Sequence, residues 1–443
     1  MKKYLSIIIV SILLIVSFGQ SFSVSANPAS GGPFSSSLRL QNMSATEIAT
    51  VTVTLYRPDG TVAITVGPNT IAPYDVLQVM FPDSLARGEY SAVVSSDQPL
   101  ASRSTFSDSD SSAAYTGFSQ GALEWFVPGL YNNYYQYFSN VYVQNVSNSP
   151  TNITLEIFAP GSSMPVYTNT KSNVQPFASV SWSQEGVSQL QRNVFYAGRI
   201  TSSGGDIVAI ANVYGSGSVG PQLLSYNGYE SGGTKWFTPV LVNNYWSWNA
   251  SLIIQNTESN AANVTVNYST GLSKSYNIPA MSVISIYLPH EPLPRGRNGL
   301  FAAEITSNRN VVVMVNQGND TNNSAATYNA FLDGSSTVFA PGVMKRAGLF
   351  STSITCQNVG SSPTTMEVKY SGQPGATSTS PVIPVGGTHI WYTPHANLPN
   401  GYDGGAVITS TGDIACIINR NTEDEPYFSM NWDMFTSASG INQ

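Results

Sequence analysis

Leu38-Arg39-Leu40-Gln41-Asn42 is a short alternating segment that recurs three more times along the chain. The later copies are Val141-Tyr142-Val143-Gln144-Asn145, Leu252-Ile253-Ile254-Gln255-Asn256 and Ile354-Thr355-Cys356-Gln357-Asn358. Apolar residues at every second position are typical of a half-buried β-strand. Because successive copies are separated by about 100 residues, the length of a small domain, the sequence predicts four tandem domains.

Two further motifs keep the same register as this strand. An apolar-aromatic pair precedes a proline at 125–128, 236–239 and 338–341. A Tyr-x-x-aromatic segment closes the first three repeats at 115–118, 226–229 and 328–331, and Met430 to Asp433 takes that place in the last. The predicted units are therefore 27–122, 123–233, 234–335 and 336–443.

Composition favours an all-β fold. Only 10% of residues are charged and 42% are hydrophobic, with Val, Ile, Thr and Tyr in short runs between Gly, Pro, Asn and Ser. About seven short strands in each unit match an immunoglobulin-like β-sandwich. The alternative is a β-propeller in which each unit makes two four-stranded blades. A net charge of −7 argues against a nucleic-acid partner.

The N-terminal residues 1–26 have the pattern of an export signal. Lys2 and Lys3 precede an apolar run of about 13 residues, too short to span a membrane as a helix. Val24 and Ala26 form a small-residue cleavage site, so we expect the mature chain to begin at Asn27. This predicts a secreted protein, free or associated with the cell surface, that has no membrane span after signal removal.

Both cysteines lie in the fourth unit, at Cys356 and Cys416. Their placement in the second and sixth predicted strands resembles the immunoglobulin superfamily, in which a disulfide joins these strands across the core. The likeness extends to tandem immunoglobulin-like surface proteins of bacteria and archaea, and it is one of fold alone. It implies an inter-sheet disulfide, against the alternative of two unpaired buried thiols. The matching pairs elsewhere are Leu40 with Ser102, Val143 with Ala209, and Ile254 with Val313.

The sequence gives no constellation typical of an enzyme. His290 and His395 occupy the same loop of units three and four, and His389 lies in a predicted strand. We find no paired nucleophile and base, no zinc motif and no phosphate-binding loop. The sequence therefore predicts a protein that is not an enzyme and needs no cofactor.

Acidic residues in the loop before the last strand of a unit are candidates for weak calcium binding. They are Asp108, Asp110, Asp320, Glu423, Asp424 and Glu425. Calcium requires six to eight oxygen ligands, and no twelve-residue calcium loop is present. Solvated turns are the simpler interpretation of these residues.

Aromatic clusters after the proline motif are candidate ligand or interface sites. They comprise Tyr134, Tyr135 and Tyr137 in unit two, and Tyr245, Trp246 and Trp248 in unit three. Such rings can stack on sugars or anchor a protein interface. We favour packing across the junction between neighbouring units.

These observations predict a secreted, non-catalytic structural or adhesive protein. Very short linkers predict a semi-rigid rod about 120 to 160 Å long. Its expected partners are cell-surface or matrix components, including further copies of itself. One alternative is an array of carbohydrate-binding modules that binds glycans through the aromatic loops, and another is an accessory subunit of an exported enzyme.

Overall fold

The structure, a computed structural model, is built almost entirely from β-strands. It describes residues 34–82, 85–108, 110–215, 220–319, 321, 324–348, 350–422 and 436–442, together with the backbone of 10–16. Within those ranges the helical segments are three single 3-10 turns, at Leu288–His290, Gly296–Asn298 and Thr393–His395. The predicted all-β class is confirmed.

The strands fall into four sets in chain order. The first set is β1 (Val10–Val16), β2 (Ser35–Asn42), β3 (Ala49–Tyr56), β4 (Val62–Ile71), β5 (Val76–Val79), β6 (Gly88–Ser96), β7 (Leu100–Ser107) and β8 (Ser112–Thr116). The second set is β9 (Glu124–Tyr134), β10 (Tyr137–Asn145), β11 (Thr151–Phe158), β12 (Pro165–Val174), β13 (Ser179–Ser183), β14 (Val194–Ser202), β15 (Ile207–Gly215) and β16 (Gln222–Asn227).

In the last two sets, the sixth and seventh strands are the two halves of one long strand. The third set is β17 (Gly233–Tyr245), β18 (Trp248–Asn256), β19 (Ala262–Tyr268), β20 (Ser273–Ile278), β21 (Val283–Tyr287), β22 (Leu300–Asn319) and β23 (Ala325–Asn329). The fourth set is β24 (Ser335–Lys345), β25 (Phe350–Asn358), β26 (Met366–Tyr370), β27 (Gln373–Thr379), β28 (Thr388–Tyr392), β29 (Tyr402–Thr422), β30 (Thr436–Ser439) and β31 (Ile441–Asn442).

Each set forms two antiparallel halves that share a core, and in the first set these are separate four-stranded sheets. In the first unit the sheet orders are β1-β6-β3-β4 and β5-β2-β7-β8. The other units repeat these pairings, but their two halves are joined into one continuous sheet, through the β9–β10 pair in unit two and through the long strands β22 and β29 in units three and four; β31 adds a further edge strand beside β24. The chain crosses between the two sheets several times in each unit. It therefore builds a sandwich-like unit, whereas the alternative of two blades per unit would place the first four strands in one sheet and the last four in another.

The asparagine of each Gln-Asn motif fastens a loop to the end of a neighbouring strand. In the third unit Asn256 Nδ2 donates to the carbonyl oxygens of Asn260, Ile278 and Pro279 at 2.7 to 3.1 Å. Asn42, Asn145 and Asn358 make equivalent bonds. All four side chains are fully buried, so the motif recurs because each unit needs this connection.

Replacement of Asn256 by alanine should lower the free energy of unfolding by about 2 to 3 kcal/mol. The substitution removes three hydrogen bonds and leaves buried carbonyl groups without a donor. Chemical denaturation followed by tryptophan fluorescence measures the change. Asn260→Ala on the same loop is the matched control, since its exposed side chain should contribute less than about 0.5 kcal/mol. Equal effects of the two substitutions would contradict this role for Asn256.

In units three and four the glutamine of the motif connects the unit to the one before it. Gln255 Nε2 donates to the carbonyl oxygen of Gly198 at 3.1 Å, and Gln357 Nε2 donates to that of Ala303 at 3.5 Å. In the first unit Gln41 Nε2 donates to the carbonyl oxygen of Ala406, in the fourth unit, at 3.2 Å. The fourth unit therefore contacts the first in the same way as consecutive units contact each other.

The four units close into a ring around a common axis. The last strands of the units, β8, β16, β23 and β30, lie side by side, and β30 also packs against β8. Arg39 of the first unit forms an ion pair with Asp403 of the fourth, with a second hydrogen bond of 2.8 Å. The predicted extended rod is therefore wrong, because the first and fourth units, which would lie at opposite ends of a rod, contact each other.

The cysteines form a disulfide within one sheet. Cys356 of β25 and Cys416 of β29 are directly opposite residues on adjacent strands, with their Cα atoms 4.1 Å apart. The predicted bond is present, but its predicted position across the core between two sheets is wrong. The matching pairs, such as Ile254 with Val313, are likewise neighbours in one sheet. The strand order therefore differs from the immunoglobulin pattern at the feature on which that resemblance rested.

Candidate functional site

The two ends of the ring differ in the elements that they carry. Thr116, Asn227, Asn329 and Ser439 are at equivalent register positions of β8, β16, β23 and β30, and all four line one axial pocket. The last strands therefore run in the same direction, and their starting residues lie at the opposite end of the ring. That opposite end carries the turns between the first and second strands of the units, which we call the hairpin tips (134–137 in unit two and 245–248 in unit three).

Two large aromatic side chains are exposed at the hairpin tips. Tyr135 is 72% exposed and Trp246 is 67% exposed, and they occupy the same position of successive units. The guanidinium of Arg297 lies 6.0 Å from the ring of Trp246. The fourth unit has Gly348, with a φ of 60°, at the matching turn position. Two adjacent units thus present an aromatic ring to solvent at one end of the molecule.

The backbone at these tips is in a conformation that aromatic residues seldom adopt. Tyr135 and Gln136 have φ values of 47° and 68°, and Trp246 and Ser247 have 52° and 65°. A two-residue turn with positive φ at both positions is a type I′ turn, which strongly prefers Asn-Gly. Bulky residues in this region cost about 1 to 3 kcal/mol. The aromatic residues are therefore retained here at the expense of stability.

The other predicted aromatic residues lie beside the exposed rings and are partly buried. Tyr134, Tyr137, Tyr245 and Trp248 are only partly exposed. Tyr134 contacts Tyr135 edge-on, with ring centroids 4.7 Å apart, and stacks on Tyr131 at 5.8 Å. The hydroxyl of Tyr131 accepts a hydrogen bond from Asn316 of unit three, so this cluster reaches the junction between units through Tyr131.

The candidate calcium ligands are placed only in part. Asp108 Oδ1 accepts hydrogen bonds from the backbone N–H groups of Asp110 and Ser111, as an acidic residue does when it closes a turn. Asp320, Glu423, Asp424 and Glu425 lie outside the described residues. Across the ranges that the structure covers, no group of three His, Cys, Asp or Glu side chains could hold a metal ion.

The histidines are in structural positions. His290 and His395 end equivalent 3-10 turns and pack edge-on against Tyr287 and Tyr392, at 5.0 and 5.3 Å. His389 packs against Trp391 at 4.6 Å, and burial lowers its pKa. None of these contacts brings a histidine to a nucleophile.

The axial pocket is a feature that the sequence analysis missed. It has a volume of about 440 Å³. Side chains at its base connect the units in series: Asn227 donates to the carbonyl oxygen of Thr116 at 2.8 Å, Asn329 to that of Asn227 at 2.7 Å, and Ser439 to that of Asn329 at 2.9 Å. Met430 to Asp433, assigned from the sequence to the last strand of unit four, lie outside the described residues. Thr436–Ser439 takes that place, so the assignment is wrong.

The tyrosines next to this pocket are structural. The hydroxyl of Tyr229 donates to the carbonyl oxygen of Val313 in the next unit, and the hydroxyl of Tyr226 donates to that of Pro128. Burial raises the pKa of both phenols well above the usual range, so neither can exchange a proton near neutral pH. The recurrent Tyr-x-x-aromatic motif therefore reflects the packing at the ring axis.

The architecture defines an all-β protein of sandwich-like units with a single disulfide. No protein-family model matches the chain, and no characterised protein matches its sequence. Within the part of the chain that the structure describes, no helix is both long and apolar enough to cross a membrane.

Three solved structures show limited similarity to parts of the chain. Thermotoga maritima 1070 aligns at 20% identity and a TM-score of 0.21, over 23% of this chain and 94% of its own. The Anabaena sensory rhodopsin transducer aligns at 23% identity and a TM-score of 0.15, over 18% of this chain and 92% of its own. A Streptomyces avermitilis alpha-L-rhamnosidase, in complex with L-rhamnose, aligns at 8% identity and a TM-score of 0.14, over 86% of this chain and 54% of its own. Similarity at this level does not bear on function.

Proposed function

We propose that this protein is a secreted, non-catalytic adhesion protein that binds glycans through Tyr135 and Trp246. The observation that carries the proposal is the exposure of these two rings at equivalent hairpin tips, in a turn conformation that favours Asn-Gly. An exposed aromatic ring offers an apolar face to the C–H groups of a sugar. Arg297 beside Trp246 adds hydrogen-bond donors for sugar hydroxyls.

The cost of these turns is the main argument for a binding role. A residue that serves only the turn would be Asn or Gly, which adopt positive φ with little strain. Exposed rings at the tips contribute little to the core, because most of their surface remains in water. Retention of a ring in such a position in two units is the pattern expected where strain is kept for function.

The predicted export signal supports glycan binding outside the cytoplasm. The leader pattern of residues 1–26 and the disulfide fit an oxidising compartment outside the cytoplasm. We place the protein with tandem β-sandwich proteins of prokaryotic cell surfaces and matrices. Because the units close into a ring, we propose that the protein acts through a compact binding face and not as an extended spacer.

Substitution of the tip residues should separate binding from stability. Tyr135→Asn and Trp246→Asn should each weaken binding to an insoluble glycan about tenfold, since loss of one stacked ring costs about 1 to 2 kcal/mol. Each should also raise the free energy of unfolding by about 1 kcal/mol, because Asn relieves the positive-φ strain. Depletion assays on cellulose, chitin and peptidoglycan measure binding, and chemical denaturation measures stability.

Tyr287→Asn is the matched control for these variants. Tyr287 is 38% exposed and ends β21, where it pairs with Ser251 of β18 outside the hairpin tip itself. It should leave glycan binding unchanged. If the double variant at 135 and 246 binds every glycan as well as the parent chain, or if the parent binds none, the proposed function is wrong.

A further inference from the structure

The first strand of every unit occupies the same place in its sheet. In units two to four this strand pairs with the sixth strand of the unit: β9 with β14, β17 with the first half of β22, and β24 with the first half of β29. In the first unit the partner of β6 is β1, with Val10 opposite Val94 and Val16 opposite Gly88. Val10–Val16 therefore supplies the strand that the proline motif supplies in the other units.

Val10–Val16 also lies within the apolar run of the predicted export signal. The inference here rests on the proposed export, because removal of residues 1–26 takes β1 away. The β6 edge then loses its partner along Gly88–Ser96, while β3 continues to pair with its other edge. An unpaired edge of this kind exposes a row of backbone N–H and C=O groups that can bind another strand.

The mature chain has no evident replacement for β1. The seven residues that precede Phe34, Asn-Pro-Ala-Ser-Gly-Gly-Pro at 27–33, contain two prolines and two glycines, which disfavour a strand. In unit two a tight turn between Tyr134 and Tyr137 joins the first strand to the second. The end of that first strand pairs with the start of the sixth strand. By the same geometry, a segment as short as 27–33 would reach only the start of the β6 edge. The first strands of the other units are already paired within their own sheets.

The vacated place is wide enough for one strand. It is bounded by β6 in its own sheet, by β2 and β7 of the facing sheet and by β10 of the second unit, and β1 packs against all four. Ser91 and Val93 of β6 are already buried, and the Ser91 hydroxyl donates to the carbonyl oxygen of Phe177 in unit two at 3.1 Å. A second copy of this chain would present a whole sheet, which is too large to enter between two units. A free extended segment is one strand wide and can enter.

The side chains at this place are apolar in the complete units. Trp125 and Val127 of β9, and Val338 and Ala340 of β24, are 3% exposed or less. We propose that the mature protein binds, along β6 between its first and second units, an extended apolar segment of about seven residues from another polypeptide, paired antiparallel in the register of Val10–Val16. Backbone hydrogen bonds give such a complex its affinity, and alternate side chains give its specificity.

A peptide corresponding to residues 10–16, with lysines added at both ends for solubility, is the probe. It should bind the exported chain that begins at Asn27 with one-to-one stoichiometry and raise its melting temperature. The uncleaved chain, whose own β1 occupies the edge, is the matched control and should not bind. N-methylation of the peptide on the alternate residues that face β6 should abolish binding, and methylation of the other set should not.

Two further measurements keep the test decisive. If the exported chain folds poorly alone, a protease site inserted between residues 17 and 33 allows cleavage after folding, and labelled peptide should then exchange into the site. The Trp246→Asn variant should still bind the peptide, so this result is independent of glycan binding. Hydrogen exchange that shows Gly88–Ser96 equally protected with and without β1, or self-association of the exported chain through this edge, would overturn the proposal.

Discussion

Removal of both cysteines should lower the free energy of unfolding of the fourth unit by about 4 kcal/mol. The bond between Cys356 and Cys416 closes a loop of 60 residues, and the chain-entropy estimate for a loop of that length is about 4 kcal/mol. Both side chains are completely buried in the core of that unit, so the loss of contacts adds to the entropic effect. Denaturation of the reduced and oxidised chains, followed by near-UV circular dichroism, measures the difference.

The third unit supplies the matched control for the cysteine variant. Ile254 and Val313 occupy the corresponding positions there and are fully buried without a covalent link. Cys356→Ile with Cys416→Val should therefore restore packing but leave the chain-entropy part of the loss. If this double variant is as stable as the oxidised parent, the disulfide is not the source of stability.

Replacement of Asp403 by alanine should lower the free energy of unfolding by about 3 kcal/mol. Asp403 pairs with Arg39, whose side chain is 7% exposed, at the contact between the first and fourth units. Arg103 and Arg420 are buried close by, and burial together with the neighbouring guanidinium groups lowers the pKa of Arg103 to about 9. Removal of one partner leaves a buried charge without compensation, which is strongly destabilising.

An exposed ion pair provides the comparison for Asp403→Ala. Lys235 and Glu304 are separated by 3.0 Å, but their side chains are 51% and 37% exposed. Glu304→Ala should change stability by less than about 0.5 kcal/mol. Asp403→Asn should fall between the two, because it keeps an acceptor but not the charge. Equal denaturation midpoints for the Asp403 and Glu304 variants would contradict a special role for the pair formed by the buried Arg39.

The repeat register was predictable because it reflects a local requirement. Each Gln-Asn segment forms the second strand of its unit, and the pairs aligned from the sequence, such as Leu40 with Ser102, are direct neighbours. An asparagine that must reach three carbonyl groups tolerates no shift in register. Alignment of the repeats therefore located these positions, although it could not show whether the paired strands lie in one sheet or in two.

Ring closure was not predicted, although the sequence contained a signal for it. The segment Ile207-Val208-Ala209-Ile210-Ala211 is continuously apolar, and β15 is buried on both faces. Such runs are typical of strands covered on both sides. In the predicted rod of separate sandwiches, one face of each sheet would be solvated. The additional buried face is the surface that contacts the next unit.

The hairpin tips were only partly predictable. The aromatic residues were identified from their clustering, but nothing in the sequence separated Tyr135 and Trp246 from their partly buried neighbours. The distinction depends on the turn, where two successive positive φ values direct these side chains to solvent. The sequence pair Trp246-Ser247 does not match the residue preference of that turn, so a propensity argument would not assign it.

Closure of the ring by contacts between the first and last units has a mechanical consequence. The chain enters at the first unit and leaves at the fourth, and these two units meet at the Arg39–Asp403 pair without a covalent link. Tension applied between the two ends therefore acts on this one interface before it reaches the other three. Once it separates, the ring becomes an open string of four intact sandwiches, and the molecule lengthens without unfolding any of them.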